Sequence, residues 1–202
     1  MKLSPRLLQR VPLALTCSRF ALGPLLVLGV VRLASPWLLM LLLAAAMLSD
    51  IFDGVVARRL KIATEPLRVL DSYADAFFFG CVGLAALLTV RGLLWDYRLP
   101  IGIECVLQIS AYLYDLTRYG RITSLHAYSA KLWGLSLYLA AAGILIFHTG
   151  VLIWLAFATG LVSAVDALAI KLILPGWQHD ILSFRDALRK REHRQALEKS
   201  TT

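Results

Sequence analysis

Cysteine, histidine and acidic residues are all scarce in this chain: three Cys, four His and 13 Asp and Glu against 21 Lys and Arg. Cys17, Cys81 and Cys105 stand far apart, each in an apolar run. That spacing fits neither a zinc site nor a disulfide framework, so they read as buried thiols. His126 has no companion at ligand spacing and reads as a loop histidine. No internal repeat or low-complexity segment is present, and no period-two alternation marks a half-buried strand. Nor does the N-terminal segment read as a cleavable leader. "MKLSPRLLQR" is basic, but the apolar region after it contains Arg19, runs on towards Val31 and offers no small-residue cleavage site.

What fills the chain instead is hydrocarbon. Hydrophobic residues make up 59% of its 202 residues, above the usual half of a soluble domain. The excess gathers in runs of about twenty residues, the length that spans a bilayer core. Six such spans are expected, at 13–31, 36–56, 70–90, 99–117, 132–148 and 151–174. Each is too long for a strand, so the fold class is an all-α membrane protein with six transmembrane helices. Residues 1–12 read as a short amphipathic helix at the interface, residues 13–176 as the membrane domain, and residues 177–202 as a basic cytoplasmic tail, helical near 180–198.

The formal net charge of +8 points to a membrane surface rather than nucleic acid, because the basic residues flank the apolar spans. With both termini in the cytoplasm, Lys2, Arg6, Arg10, Arg58, Arg59, Lys61, Arg68, Arg118, Arg121, Lys131 and the tail all face inward. Arg32, Arg91 and Arg98 are left outside. This asymmetry supports an even number of spans and an integral multi-pass protein of the bacterial cytoplasmic (inner) membrane type.

Four aspartates interrupt the hydrocarbon. Asp50 and Asp53 are spaced i, i+3, and Asp71 and Asp75 i, i+4, so each pair shares a helical face. The topology puts both pairs at the cytoplasmic ends of the second and third spans. The short loop "RRLKIATEPLR" makes those spans antiparallel neighbours whose carboxylates can face each other. Clustered carboxylates in a low dielectric stay ionised only beside positive charge. Arg58 and Arg68 can supply some; a divalent cation with oxygen ligands, bridging to phosphate oxygens, supplies more. Gly54 and Ala57 lie on the face of Asp50 and Asp53, where small side chains let a flat ligand approach or let helices pack closely.

The pattern Asp50-x2-Asp53-Gly54-x2-Ala57-Arg58, eight residues, Leu67, x3, Asp71, x3, Asp75 resembles the signature of the CDP-alcohol phosphotransferases. The signature has glycine where Leu67 stands. The first span, "PLALTCSRFALGPLL", is similar to the family's common opening through Thr16 and Arg19, although the asparagine often found before that threonine is absent. The resemblance implies transfer of a substituted phosphate from a CDP-linked donor, commonly CDP-diacylglycerol, to the hydroxyl of an alcohol acceptor, with release of CMP. It implies that Asp50, Asp53, Asp71 and Asp75 hold one or two Mg2+ (or Mn2+) ions, and that Asp75 is the base. It also implies that Gly54, Ala57, Arg58 and Thr64 contact the donor nucleotide, that Thr16 and Arg19 are further donor contacts, and that the protein is a homodimer. Leucine at Leu67 lacks the backbone freedom of glycine and puts acceptor identity in question more than metal binding.

Arg118, Arg121 and Lys131 cluster around the inward loop "RYGRITSLHAYSAK". They are candidate contacts for a phosphorylated acceptor such as glycerol 3-phosphate or inositol phosphate, or else plain positive-inside charge. Lys131 also resembles a lysine common in the family at that place. Asp166 in the sixth span pairs only loosely with Lys171 at i, i+5 and has no assigned role. Glu104 in the fourth is expected to face a neighbouring helix. The competing readings are a cation-binding membrane transporter, a prenyltransferase with aspartate-rich magnesium sites, and a family member without turnover. A transporter needs polar groups at several depths, whereas the outer halves of these spans are nearly bare of charge.

Overall fold

The computed structural model describes residues 5–60, 64–120 and 128–173. The basic tail at 177–202, Arg121 and His126 lie outside the described residues. Among those residues the chain is helical throughout, in seven helices: α1 (Pro5–Val31), α2 (Pro36–Arg59), α3 (Glu65–Thr89), α4 (Arg91–Asp96), α5 (Arg98–Tyr119), α6 (Tyr128–Leu145) and α7 (Val151–Ile173). Four of them are long and apolar enough to cross a membrane: α1 over Val11–Val31, α2, α3 over Pro66–Thr89 and α7 over Val151–Leu172. Helices α5 and α6 coincide with the expected fourth and fifth spans but are more polar or shorter. Glu104, Gln108, Asp115 and Arg118 interrupt α5, and Lys131 sits in the first turn of an 18-residue α6.

Local sequence explains the boundaries. Pro36 opens α2 behind Ser35, whose hydroxyl accepts from the Leu38 N–H at 3.4 Å. Arg58 and Arg59 close the same helix, where the peptide dipoles favour cations. Thr64 precedes α3, and proline again falls in the first turn. Gly120 ends α5 in the left-handed region, φ +67°, and returns its N–H to the Leu116 carbonyl at 3.0 Å. Helix α1 runs unbroken from Pro5, so residues 5–12 continue the first long helix instead of forming a separate interfacial element. The six-residue α4 stands in what was expected to be an outer loop.

The chain divides into two units, residues 1–96 with 138–150, and residues 97–137 with 151–202. In the first, α1 packs along both α2 and α3, and these contacts far outweigh any direct packing of α2 on α3. The carboxylates of α2 and α3 do face each other, as expected, and the N-terminal helix lies against both. Leu26, Ala46, Ala74, Phe78 and Ala85 form a core of small residues with few large ones, all essentially inaccessible. Gly23 brings α1 close to α3, since a Cβ there would lie 3.0 Å from Cys81 Sγ. Cys81 is half-buried, but Cys17 and Cys105 are exposed on their helices, contrary to the buried-thiol expectation. They stand beside exposed Leu13, Ile103 and Val106, on apolar surface of the kind that lipid covers.

In the second unit, α5 packs on α7. Lys171 Nζ meets the buried Asp115 carboxylate at 2.6 Å, so its partner is Asp115 and not Asp166. Asp166 instead accepts from Ser129 Oγ at 2.6 Å. Glu104 does face a neighbouring helix. It lies against Gly160 of α7 and accepts from Gln108 Nε2 at 3.2 Å.

Candidate active site

An arginine in the middle of an apolar helix must find anions, and Arg19 finds four. Its side chain is wholly inaccessible. From α1, Nη1 donates to Asp50 Oδ1 of α2 at 3.2 Å and to Asp75 Oδ1 of α3. Nη2 donates to Asp53 Oδ2 of α2 at 2.5 Å and to Asp71 Oδ1 of α3. The planar fork of a guanidinium suits this task, because each terminal nitrogen presents two hydrogens in fixed directions. Here each takes one carboxylate from each helix. Thr16, one turn before Arg19, is buried as well; its hydroxyl lies 2.9 Å from Asp53 Oδ2 and 3.0 Å from the Pro12 carbonyl oxygen. One proton cannot fully serve both, so the Asp53 contact competes with the helix backbone.

The four carboxylates are not equivalent. Asp53 is the floor of the cluster, its side chain 4% exposed. Asp50 at 33%, Asp71 at 27% and Asp75 at 37% form a rim open to solvent. Oxygens of Asp50, Asp53 and Asp71 lie within 4.8 Å of one another, close enough to share one ion. Asp75 stands outside that trio. The donor set is entirely anionic oxygen, which suits a hard divalent cation such as Mg2+ or Mn2+. Four carboxylates around one guanidinium also leave an excess of negative charge, which a cation or a metal-bearing ligand would offset.

Around the cluster, Ala57 is buried and Gly54 half-buried on the face of Asp50 and Asp53. Arg58 is exposed and folds back over Gly54: a Cβ at Gly54 would sit 3.4 Å from Arg58 Nη1. Thr64 is exposed at the start of α3, and its side chain makes no capping hydrogen bond. In the second unit, Arg118 is exposed in the last turn of α5. Lys131 is exposed in the first turn of α6, its ammonium 5.3 Å from the Tyr128 ring centre.

Arg58 and Arg68 were expected to supply part of the neutralising charge and a divalent cation more; Arg19 pairs with all four aspartates. The signal was present in the sequence, as a lone arginine inside a membrane span. Its partners were not, because they come from two other helices.

Three comparisons with known proteins bear on this arrangement. Residues 9–162 match the family model described as CDP-alcohol phosphatidyltransferase. No curated protein and no solved structure matches the chain. The matched stretch carries Thr16 and Arg19 of α1, the aspartate pairs of α2 and α3, and most of the remaining helices. With a membrane-type all-helical fold, a carboxylate cluster able to hold a divalent ion, and a match over most of its length, the chain belongs to the CDP-alcohol phosphatidyltransferase family.

Proposed function

We propose that the protein transfers a phosphatidyl group from CDP-diacylglycerol to the hydroxyl of an alcohol acceptor and releases CMP, as a step of phospholipid biosynthesis. Family membership supports a phosphatidyl transferase acting on a CDP-alcohol. The observation that carries the finer reading is the convergence of Asp50, Asp53, Asp71 and Asp75 from two helices on one guanidinium. Asp50, Asp53 and Asp71 would hold Mg2+ or Mn2+, since their oxygens are mutually close. Such an ion, when bound, supplies neutralisation of the diphosphate and stabilisation of the departing CMP.

The chain's own residues account for the rest. Arg19 draws the two aspartate pairs together, so that acidic groups from separate helices act as one constellation. Asp75 lies outside the close trio and is the most exposed of the four; it takes the proton of the acceptor hydroxyl. As that proton leaves, the acceptor oxygen bonds to the phosphorus that carries diacylglycerol. The bond from that phosphorus to the CMP oxygen breaks, and CMP keeps the electron pair. Gly54, Ala57, Arg58 and Thr64 line the approach for the cytidine nucleotide, with Arg58 offering a charged fork to its phosphates. Arg118 and Lys131, with Arg121, contact the phosphate of a phosphorylated alcohol such as glycerol 3-phosphate or inositol phosphate. The site belongs at the cytoplasmic face, where acyl chains stay in lipid while the nucleotide meets water, and the active form is a homodimer.

The test is CMP release by purified protein given CDP-diacylglycerol, Mg2+ and a panel of alcohols, including glycerol 3-phosphate, inositol phosphate and serine. Asp75→Asn should bind donor and lose turnover. Full activity in that variant would remove Asp75 as the base.

A further inference from the structure

Tyr138 of α6 belongs to the same unit as the aspartate cluster but takes no part in its ion pairs. It is 5% exposed, and its hydroxyl has no hydrogen-bond partner among the described residues. The ring rests on Phe79 and Phe78, at 5.0 and 5.7 Å between centres. Those phenylalanines follow Asp75 by four and three positions, so they lie on its face of α3, one turn farther along. The phenol therefore stands on the apolar side of the carboxylate rim, in the fields of Asp50 and Asp75 and then of Arg19 and Asp71.

Phenylalanine would supply the same ring contacts. The hydroxyl is surplus to packing, and burying it without a partner is costly. A phenol in such a place ordinarily has something to donate to. Asp50 and Asp75 each already accept from Arg19 through Oδ1. A diphosphate seated at the rim would bring unclaimed anionic oxygens into a low-dielectric pocket, where a charge-assisted hydrogen bond is strong.

We propose that Tyr138 is a substrate-binding residue whose hydroxyl donates a hydrogen bond to a phosphoryl oxygen of the diphosphate held at the aspartate cluster. This rests on the phosphatidyl-transfer reading of that site and adds to it a donor contact from α6.

Tyr138→Phe removes one oxygen and leaves the ring in place. Full-length wild-type and variant proteins in detergent with Mg2+ would be titrated with CDP-diacylglycerol, with inorganic pyrophosphate and with cytidine, and their melting temperatures compared. The expected result is about tenfold or greater weakening for CDP-diacylglycerol and pyrophosphate, unchanged cytidine binding, and a melting temperature equal to or above wild type. Equal affinity of the two proteins for both diphosphates overturns the proposal, as does a drop in melting temperature with no change in affinity. Should wild type bind pyrophosphate in a Tyr138-dependent way but not CDP-diacylglycerol, the hydroxyl contact stands and the assigned donor falls. Should it bind neither, both fall.

Discussion

Replacing Arg19 by alanine would leave four carboxylates facing one another without their shared cation. The cost is dominated by Asp53, because that side chain is 4% exposed and Arg19 is wholly buried. Removing one partner of a buried ion pair costs about 3–5 kcal/mol. Asp50, Asp71 and Asp75 are each about a third exposed, so solvent screens them and each adds at most about 1 kcal/mol. For a chain of this size, about 2–4 °C of melting temperature accompanies each kcal/mol, so the Asp53 pair alone implies a fall of about 6–20 °C. The assay is thermal unfolding of purified Arg19→Ala in detergent with a chelator present, followed by the same measurement in millimolar Mg2+. The cation should restore part of the loss and stabilise the variant more than it stabilises wild type, because the bared carboxylates bind it more strongly. Arg19→Lys should fall between the two, since an ammonium keeps the charge but lacks the fork that reaches both helices. An Arg19→Ala protein that melts with wild type in chelator would refute the idea that this arginine holds the acidic groups together.

Other outcomes follow from the same contacts. Asp53→Asn should weaken Mn2+ binding to the solubilised protein by tenfold or more, measured by the free-ion spin-resonance signal, because Asp53 is the buried member of the close trio. Thr16→Val, nearly isosteric, should lower stability by about 1.5–3 kcal/mol through loss of the hydroxyl's bond to a buried carboxylate; urea titration of the detergent-solubilised protein reads this directly. Gly23→Val should destabilise by about 1–3 kcal/mol through overpacking against Cys81 of α3, seen as a lowered melting temperature. Lys171→Met, which removes the cation facing buried Asp115, should cost about 3–5 kcal/mol, and the double variant with Asp115→Leu should lie closer to wild type.

The sequence made the aspartate pairs legible because both the spacing and the setting are local. Carboxylates at i, i+3 and i, i+4 inside apolar runs announce one-sided acidic faces, whatever the helices do next. Helix ends at Pro36, Arg59 and Gly120 were equally local, written in proline, terminal arginines and glycine. The short loop made the facing carboxylates of α2 and α3 legible too, but the place of α1 was not. Periodicity says which residues share a face of α1, but not that α1 lies against both α2 and α3. The pairing of Arg19 with all four aspartates therefore could not be read from the sequence. Lys171 offered only a loose pairing with Asp166 on its own helix, because its partner Asp115 belongs to α5. Tyr138 gave no signal, because one tyrosine in a membrane helix is unremarkable until its hydroxyl is found buried beside carboxylates.

The central claim is that Asp50, Asp53 and Asp71 grip a divalent ion that in turn holds the donor's diphosphate. Electron–nuclear double resonance on Mn2+ added to the purified protein with CDP-diacylglycerol tests it at the bond. Phosphorus coupling to bound Mn2+ in wild type, lost in Asp50→Asn and Asp53→Asn, is the expected result. Mn2+ that stays free in wild type, or binds with no phosphorus coupling, would contradict the account.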